Sequence, residues 1–120
     1  MLAAYDDAIG VTAAFNLNLL ARINRELNGR FVISQFAHEA RYDRTEHRIE
    51  MHLRSLVDQS VLATDDFVVR FRRGETIWTE SSYKFQLDDL ATLAERTGFR
   101  VEKQFVDEEW PFAQSVLRAE

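Results

Sequence analysis

Residues 48–55 read Arg-Ile-Glu-Met-His-Leu-Arg-Ser. In an extended chain, side chains alternate between two faces. Ile49, Met51, Leu53 and Ser55 therefore share one face, and Arg48, Glu50, His52 and Arg54 share the other. The segment is predicted to be a strand of an antiparallel sheet, with one face on a core. Its neighbours keep the same period. Strands are expected over Phe36–Tyr42, Ser60–Ala63, Phe67–Arg72 and Thr76–Phe85, separated by polar turns at 43–46, 65–66 and 73–75.

The flanks read differently. Residues 2–9 and 11–27 are predicted helices meeting at Gly10, the second with an apolar stripe of Val11, Ala14, Phe15, Leu19, Ile23 and Leu27. Asn16, Asn18, Arg22, Arg25 and Glu26 fall mostly on its other side, and Asn28-Gly29 is its stop. Beyond residue 86 come a helix over Leu87–Thr97 stopped by Gly98, a strand over Phe99–Val106, a loop through Trp110-Pro111 and a strand over Phe112–Leu117. The expected fold class is α+β: N-terminal helices, a mainly antiparallel sheet, then a helix and two strands that would complete a larger sheet.

Composition narrows the function classes. The 120 residues are enough for a core without staples. Fifteen basic against 20 acidic residues give a net charge of −5, which opposes non-specific nucleic-acid binding even with the Arg70, Arg72, Arg73 cluster. No cysteine is present, so thiolate metal sites and cysteine nucleophiles are excluded, in keeping with a reducing compartment. No stretch of about 18 apolar residues occurs, and the N-terminus lacks the basic start of a signal peptide. A cytoplasmic location without membrane or nucleic-acid partners is expected. Residue 2 already sits in a helical pattern, so Met1 reads as an introduced start and the chain as an excised piece.

Few constellations can carry chemistry. His38, His47 and His52 show no metal-ligand spacing and read as surface histidines. The four glycines are far apart, so no phosphate-cradling loop forms within this chain. The run Thr79-Glu80-Ser81-Ser82-Tyr83-Lys84-Phe85 is more informative. On a regular strand Trp78, Glu80, Ser82 and Lys84 point to one side, with Glu80 and Ser82 about 7 Å apart. A carboxylate that accepts and a hydroxyl that donates or accepts match the two nitrogens of an imidazole. A solvent-facing edge strand with scattered polar residues has the same spacing. Tyr5 and Thr12, seven residues apart, would share a face on a continuous helix, but the break expected at Gly10 re-aims them. Tyr5 can there hold a carboxylate through a charge-assisted hydrogen bond, or simply pack between helices. Met51 suits a core or the side of an aromatic ligand.

The string Tyr5-Asp6-Asp7-Ala8-Ile9-Gly10-Val11-Thr12-Ala13-Ala14-Phe15-Asn16, with Asn24-Arg25-Glu26-Leu27, Ile49-Glu50-Met51-His52-Leu53 and Thr79 to Phe85, resembles the histidine-specific S-adenosylmethionine-dependent methyltransferases. These include the ergothioneine-pathway enzymes that convert histidine to hercynine, and the resemblance covers essentially the whole chain. It implies a Rossmann-like methyltransferase domain joined to a substrate domain. Residues 1–85 would be the inserted part of the substrate domain and residues 86–120 the end of the methyltransferase domain. The unit that binds S-adenosylmethionine would lie upstream.

By that resemblance, Glu80 and Ser82 hold the substrate imidazole and Tyr5 holds its carboxylate, while Thr12, Phe15 and Met51 line the pocket. The implied reaction is in-line attack of the neutral α-amine on the sulfonium methyl, with S-adenosylhomocysteine leaving. No residue of this chain is expected to be catalytic, and no metal is needed. The expected partner is a small amino acid, histidine. The piece is also expected to self-associate through exposed sheet edges. A freestanding α+β binding or interaction module without catalysis is the competing reading.

Overall fold

The computed structural model describes residues 10–109 and 112–120. The helix expected over 2–9, which includes Tyr5, and the loop residues Trp110 and Pro111 lie outside the described residues. The chain divides between Tyr83 and Lys84 into two compact units.

The first unit holds helix α1 (Val11–Leu27), a 3-10 turn (Ile33–Gln35) and strands β1 (Phe36–Asp43), β2 (Arg48–Ser55), β3 (Gln59–Thr64), β4 (Phe67–Phe71) and β5 (Thr76–Tyr83). Strands β1, β2 and β5 form an antiparallel sheet with β2 in the centre, and β3 and β4 form a separate hairpin. The helix ends where Asn28 turns left-handed, with φ 58°. Asn24 then exchanges hydrogen bonds with the backbone of Phe31, its Nδ2 donating to the carbonyl and its Oδ1 accepting from the N–H, both at 2.8 Å. That pair delivers Phe31 into the core, where its ring meets Phe36 edge-on, as Phe36 meets Phe71. Leu20, Leu53 and Val61 complete this core. The β1–β2 turn is held by Asp43, whose Oδ1 accepts from the N–H groups of Thr45 and Glu46.

The alternation of residues 48–55 is observed: Ile49, Met51, Leu53 and Ser55 are buried. Two expectations fail. The buried side of α1 centres on Asn16 and Leu20, whereas Val11, Phe15 and Leu27 are exposed. Reading apolarity alone rotates the helix, because a polar side chain whose groups all find hydrogen-bond partners can also be buried. His52 is also 4% exposed, not a surface histidine. It stacks on Trp78 with ring centroids 5.8 Å apart, Nε2 lies 2.9 Å from Glu50 Oε1, and Nδ1 lies 2.9 Å from Thr76 Oγ1.

The second unit holds α2 (Leu87–Arg96) and an antiparallel pair, β6 (Phe99–Val106) and β7 (Ala113–Ala119). A capping box starts α2: the Gln86 N–H donates to Asp89 Oδ2 at 2.8 Å, and the Gln86 side chain answers the backbone at Asp89. The chain is thus α+β, with a helix and two strands at its C-terminal end.

Candidate functional site

The expected site residues of the sheet lie on β2 and β5. Register places Ile49 opposite Ser82, Met51 opposite Glu80, His52 opposite Trp78 and Leu53 opposite Ile77. Opposed residues in an antiparallel pair share a face. Thr79 is therefore an extra residue, a β-bulge, and the register shifts at Met51/His52. Without it, Glu80 and Ser82 would face the side opposite Ile77. With it, they turn to the face of Ile49, Met51 and Leu53, which α1 covers.

The same bulge corrects one expectation. Trp78 does not share a side with Glu80 and Ser82. It lies on the opposite face, stacked on His52, with the Arg48 guanidinium 4.6 Å from its ring centre. Regular alternation predicted otherwise because one inserted residue inverts every side chain beyond it. Lys84 and Phe85 fall beyond the end of the strand.

Asn16 connects the helix to the bulge. It is 0% exposed. Its Nδ2 lies 3.1 Å from the carbonyl of His52, to which it donates, and 2.9 Å from His38 Nδ1. Its Oδ1 lies 2.8 Å from the Thr79 hydroxyl, which also lies 2.9 Å from the Met51 carbonyl. The His52 carbonyl thus accepts from the Asn16 amide, and the single Thr79 hydroxyl proton is shared between the Met51 carbonyl and Asn16 Oδ1.

These bonds also orient α1. Leu20 packs with Leu53, and one turn earlier Asn16 reaches His52 and Thr79. Thr12 is a further turn earlier on the same side, about 6 Å along the axis. Met51 is buried, Thr12 and Ser82 are half-buried, Glu80 is exposed, and Phe15 stands 64% exposed on the flank of the helix. Tyr5 lies outside the described residues. A groove of about 280 Å³ runs between α1 and the sheet past Leu19, Ile23, Leu53 and Ile77 and includes Thr79. Its lining stops there, one residue short of Glu80. Sequence reasoning missed Asn16 and Thr79. Asn16 was read with the polar side of the helix; its helical spacing to Ala13 and Leu20, at i−3 and i+4, was the available signal for the first.

The opposite face holds a charged and aromatic cluster. Arg48 donates to Glu50 at 2.9 Å and to the Tyr83 hydroxyl at 3.1 Å. The hydrogen bond from His52, with help from Arg48, holds the Glu50 carboxyl below the usual glutamate range. Among the described residues no group of histidine and carboxylate side chains is arranged to hold a metal. None of the described helices is long and apolar enough to cross a membrane.

Glu80 and Ser82 therefore stand on the sheet face of buried Met51 and Ile49, the face on which Asn16 of α1 meets Thr79. Residues 1–119 match the family described as histidine-specific methyltransferase, SAM-dependent. The chain belongs to that family. It is 41% identical over 117 residues to the histidine N-alpha-methyltransferase of Mycolicibacterium smegmatis and 40% identical over 117 residues to that of Mycobacterium tuberculosis. Each match covers 97% of this chain and 36% of the relative, so the chain spans about a third of the length of these relatives.

Proposed function

We propose that this chain is the substrate-recognition part of a histidine Nα-methyltransferase, which moves methyl groups from S-adenosylmethionine to the α-amine of histidine and yields hercynine. The observation that carries this reading is the shared aim of Glu80 and Ser82, opposite Met51 and Ile49 on the face beneath α1. An ionised Glu80 accepts from one imidazole N–H, and the Ser82 hydroxyl serves the other ring nitrogen. Met51 offers a polarisable wall for the ring. Thr12 and Phe15 are assigned to the wall of the pocket, and Tyr5 is assigned the substrate carboxylate.

The described residues do not fit a cradle for S-adenosylmethionine. Gly10, Gly74 and Gly98 take positive φ at a helix cap or at turns, and Gly29 is packed against the carbonyl of Ala63, so none opens a phosphate- or ribose-binding turn from strand to helix. The share assigned to this chain is binding and orientation, through which an enzyme of this class gains much of its rate. Residues 1–85 are assigned to a substrate domain and 86–120 to the end of a methyltransferase domain, a division supported by the break into units at Tyr83 and Lys84.

The test is methyl transfer by the full-length protein to a panel of amino acids, with products read by mass. Histidine is expected to be methylated and its isosteres without a second ring nitrogen rejected. Glu80→Ala is expected to weaken histidine binding by about 1–3 kcal/mol and to leave S-adenosylmethionine binding intact. Equal loss of both ligands, or no loss of either, overturns the assignment.

A further inference from the structure

We infer that Asn16 and Thr79 are positioning residues for substrate recognition: together they hold the β-bulge that turns Glu80 and Ser82 onto the face beneath α1. The inference rests on the recognition role proposed for that pair and adds what aims it. A β-strand has no intrinsic reason to insert a residue at 79. The insertion disrupts the ladder locally and has to be stabilised by other partners. Here the partners come from tertiary structure. The Thr79 hydroxyl lies between the Met51 carbonyl and Asn16 Oδ1, at 2.9 and 2.8 Å. The Asn16 amide donates to the carbonyl of His52 on the far side of the break. Asn16 is fully buried, so its carboxamide has no water to fall back on.

The consequence for the site is a matter of parity. Ile77 lies opposite Leu53 on the α1 side. Counting by twos from Ile77, a regular strand would present Thr79, Ser81 and Tyr83 to α1. It would send Glu80 and Ser82 to the face of Trp78 and Arg48. The observed register instead places Glu80 and Ser82 opposite Met51 and Ile49. A pair of side chains that never needs to touch the substrate thus decides which face the recognition groups occupy.

The buried amide makes Asn16 variants hazardous to the fold, so Thr79→Val carries the test, with Thr79→Ser as the conservative rescue. In the full-length protein, dissociation constants for L-histidine and for S-adenosylmethionine are measured by calorimetry for Thr79→Val, Thr79→Ser, Glu80→Ala and the Thr79→Val/Glu80→Ala double variant. Thr79→Val is expected to weaken histidine about tenfold, the order for loss of one partner in a buried hydrogen-bonded network, and to leave S-adenosylmethionine within about twofold. Thr79→Ser is expected to restore histidine affinity. In the Glu80→Ala background Thr79→Val is expected to cost clearly less than in the unsubstituted protein, because one of the two groups it aims is gone and only Ser82 remains to be misdirected. A Thr79→Val effect equal in both backgrounds shows a general structural role and overturns the inference, as does unchanged histidine affinity. Failure of the recognition reading itself is seen separately, in Glu80→Ala alone leaving histidine binding unchanged.

Discussion

Glu50 shows at the residue scale how one carboxylate can hold a cluster together. It accepts from Arg48 and is 2.9 Å from His52 Nε2, while His52 stacks on Trp78 and Arg48 sits over the same indole. The hydrogen bond from His52, and then Arg48, lower its protonation range. A carboxyl whose folded pKa is depressed stabilises the fold fully above its unfolded value, ~4.3. That contribution is lost as pH falls through the lowered folded value. Stability measured by urea titration is expected to decline below about pH 4.3, with a slope that Glu50→Gln reduces. An unchanged acid slope in the variant would place the loss elsewhere.

At the scale of elements, Gly29 marks a close approach of α1 to β3. It follows α1, where Arg30 donates to the Leu62 carbonyl and brings the chain against β3. A Cβ at Gly29 would stand 2.8 Å from the Ala63 carbonyl oxygen and 2.9 Å from Ile23 Cγ2. Neither the strand backbone nor the helix can yield cheaply. Gly29→Ala is expected to destabilise the first unit by about 1–3 kcal/mol, read as a lowered denaturation midpoint. Gly10 and Gly74, by contrast, have open space around a built Cβ, and there only the left-handed backbone resists substitution.

At the scale of the whole molecule the two units are unequal. The first has a core of Leu20, Phe31, Phe36, Leu53, Val61 and Phe71. In the second, Ala94 is the buried hydrophobic residue among those described, while Phe105, Val106 and Phe112 are more than half exposed. A two-stranded pair has little independent stability in water. Amide exchange is therefore expected to be fast over β6 and β7 and slowest over β2; uniform protection would contradict this. The exposed apolar side chains of the second unit also lead us to expect self-association of the isolated chain. Sedimentation should show mass rising with concentration, and a strictly monomeric profile would refute it.

Much of this was legible in the sequence. Period-two patterning located β2 and its buried face, because a half-buried strand must alternate. Asn28-Gly29 marked the end of α1, because both residues tolerate the left-handed turn that stops a helix. The string of Tyr5 to Asn16 and the run of Thr79 to Phe85 carried the family. Local pattern could not show the rotation of α1 or the side to which Glu80 and Ser82 turn. Those depend on a bulge at Thr79, which has no sequence marker of its own and is held by Asn16, 63 residues away. Alternation is a property of neighbouring residues and is written along the chain. The parity of a strand beyond a bulge is set by hydrogen bonds to a distant helix, and only the folded structure brings those partners together.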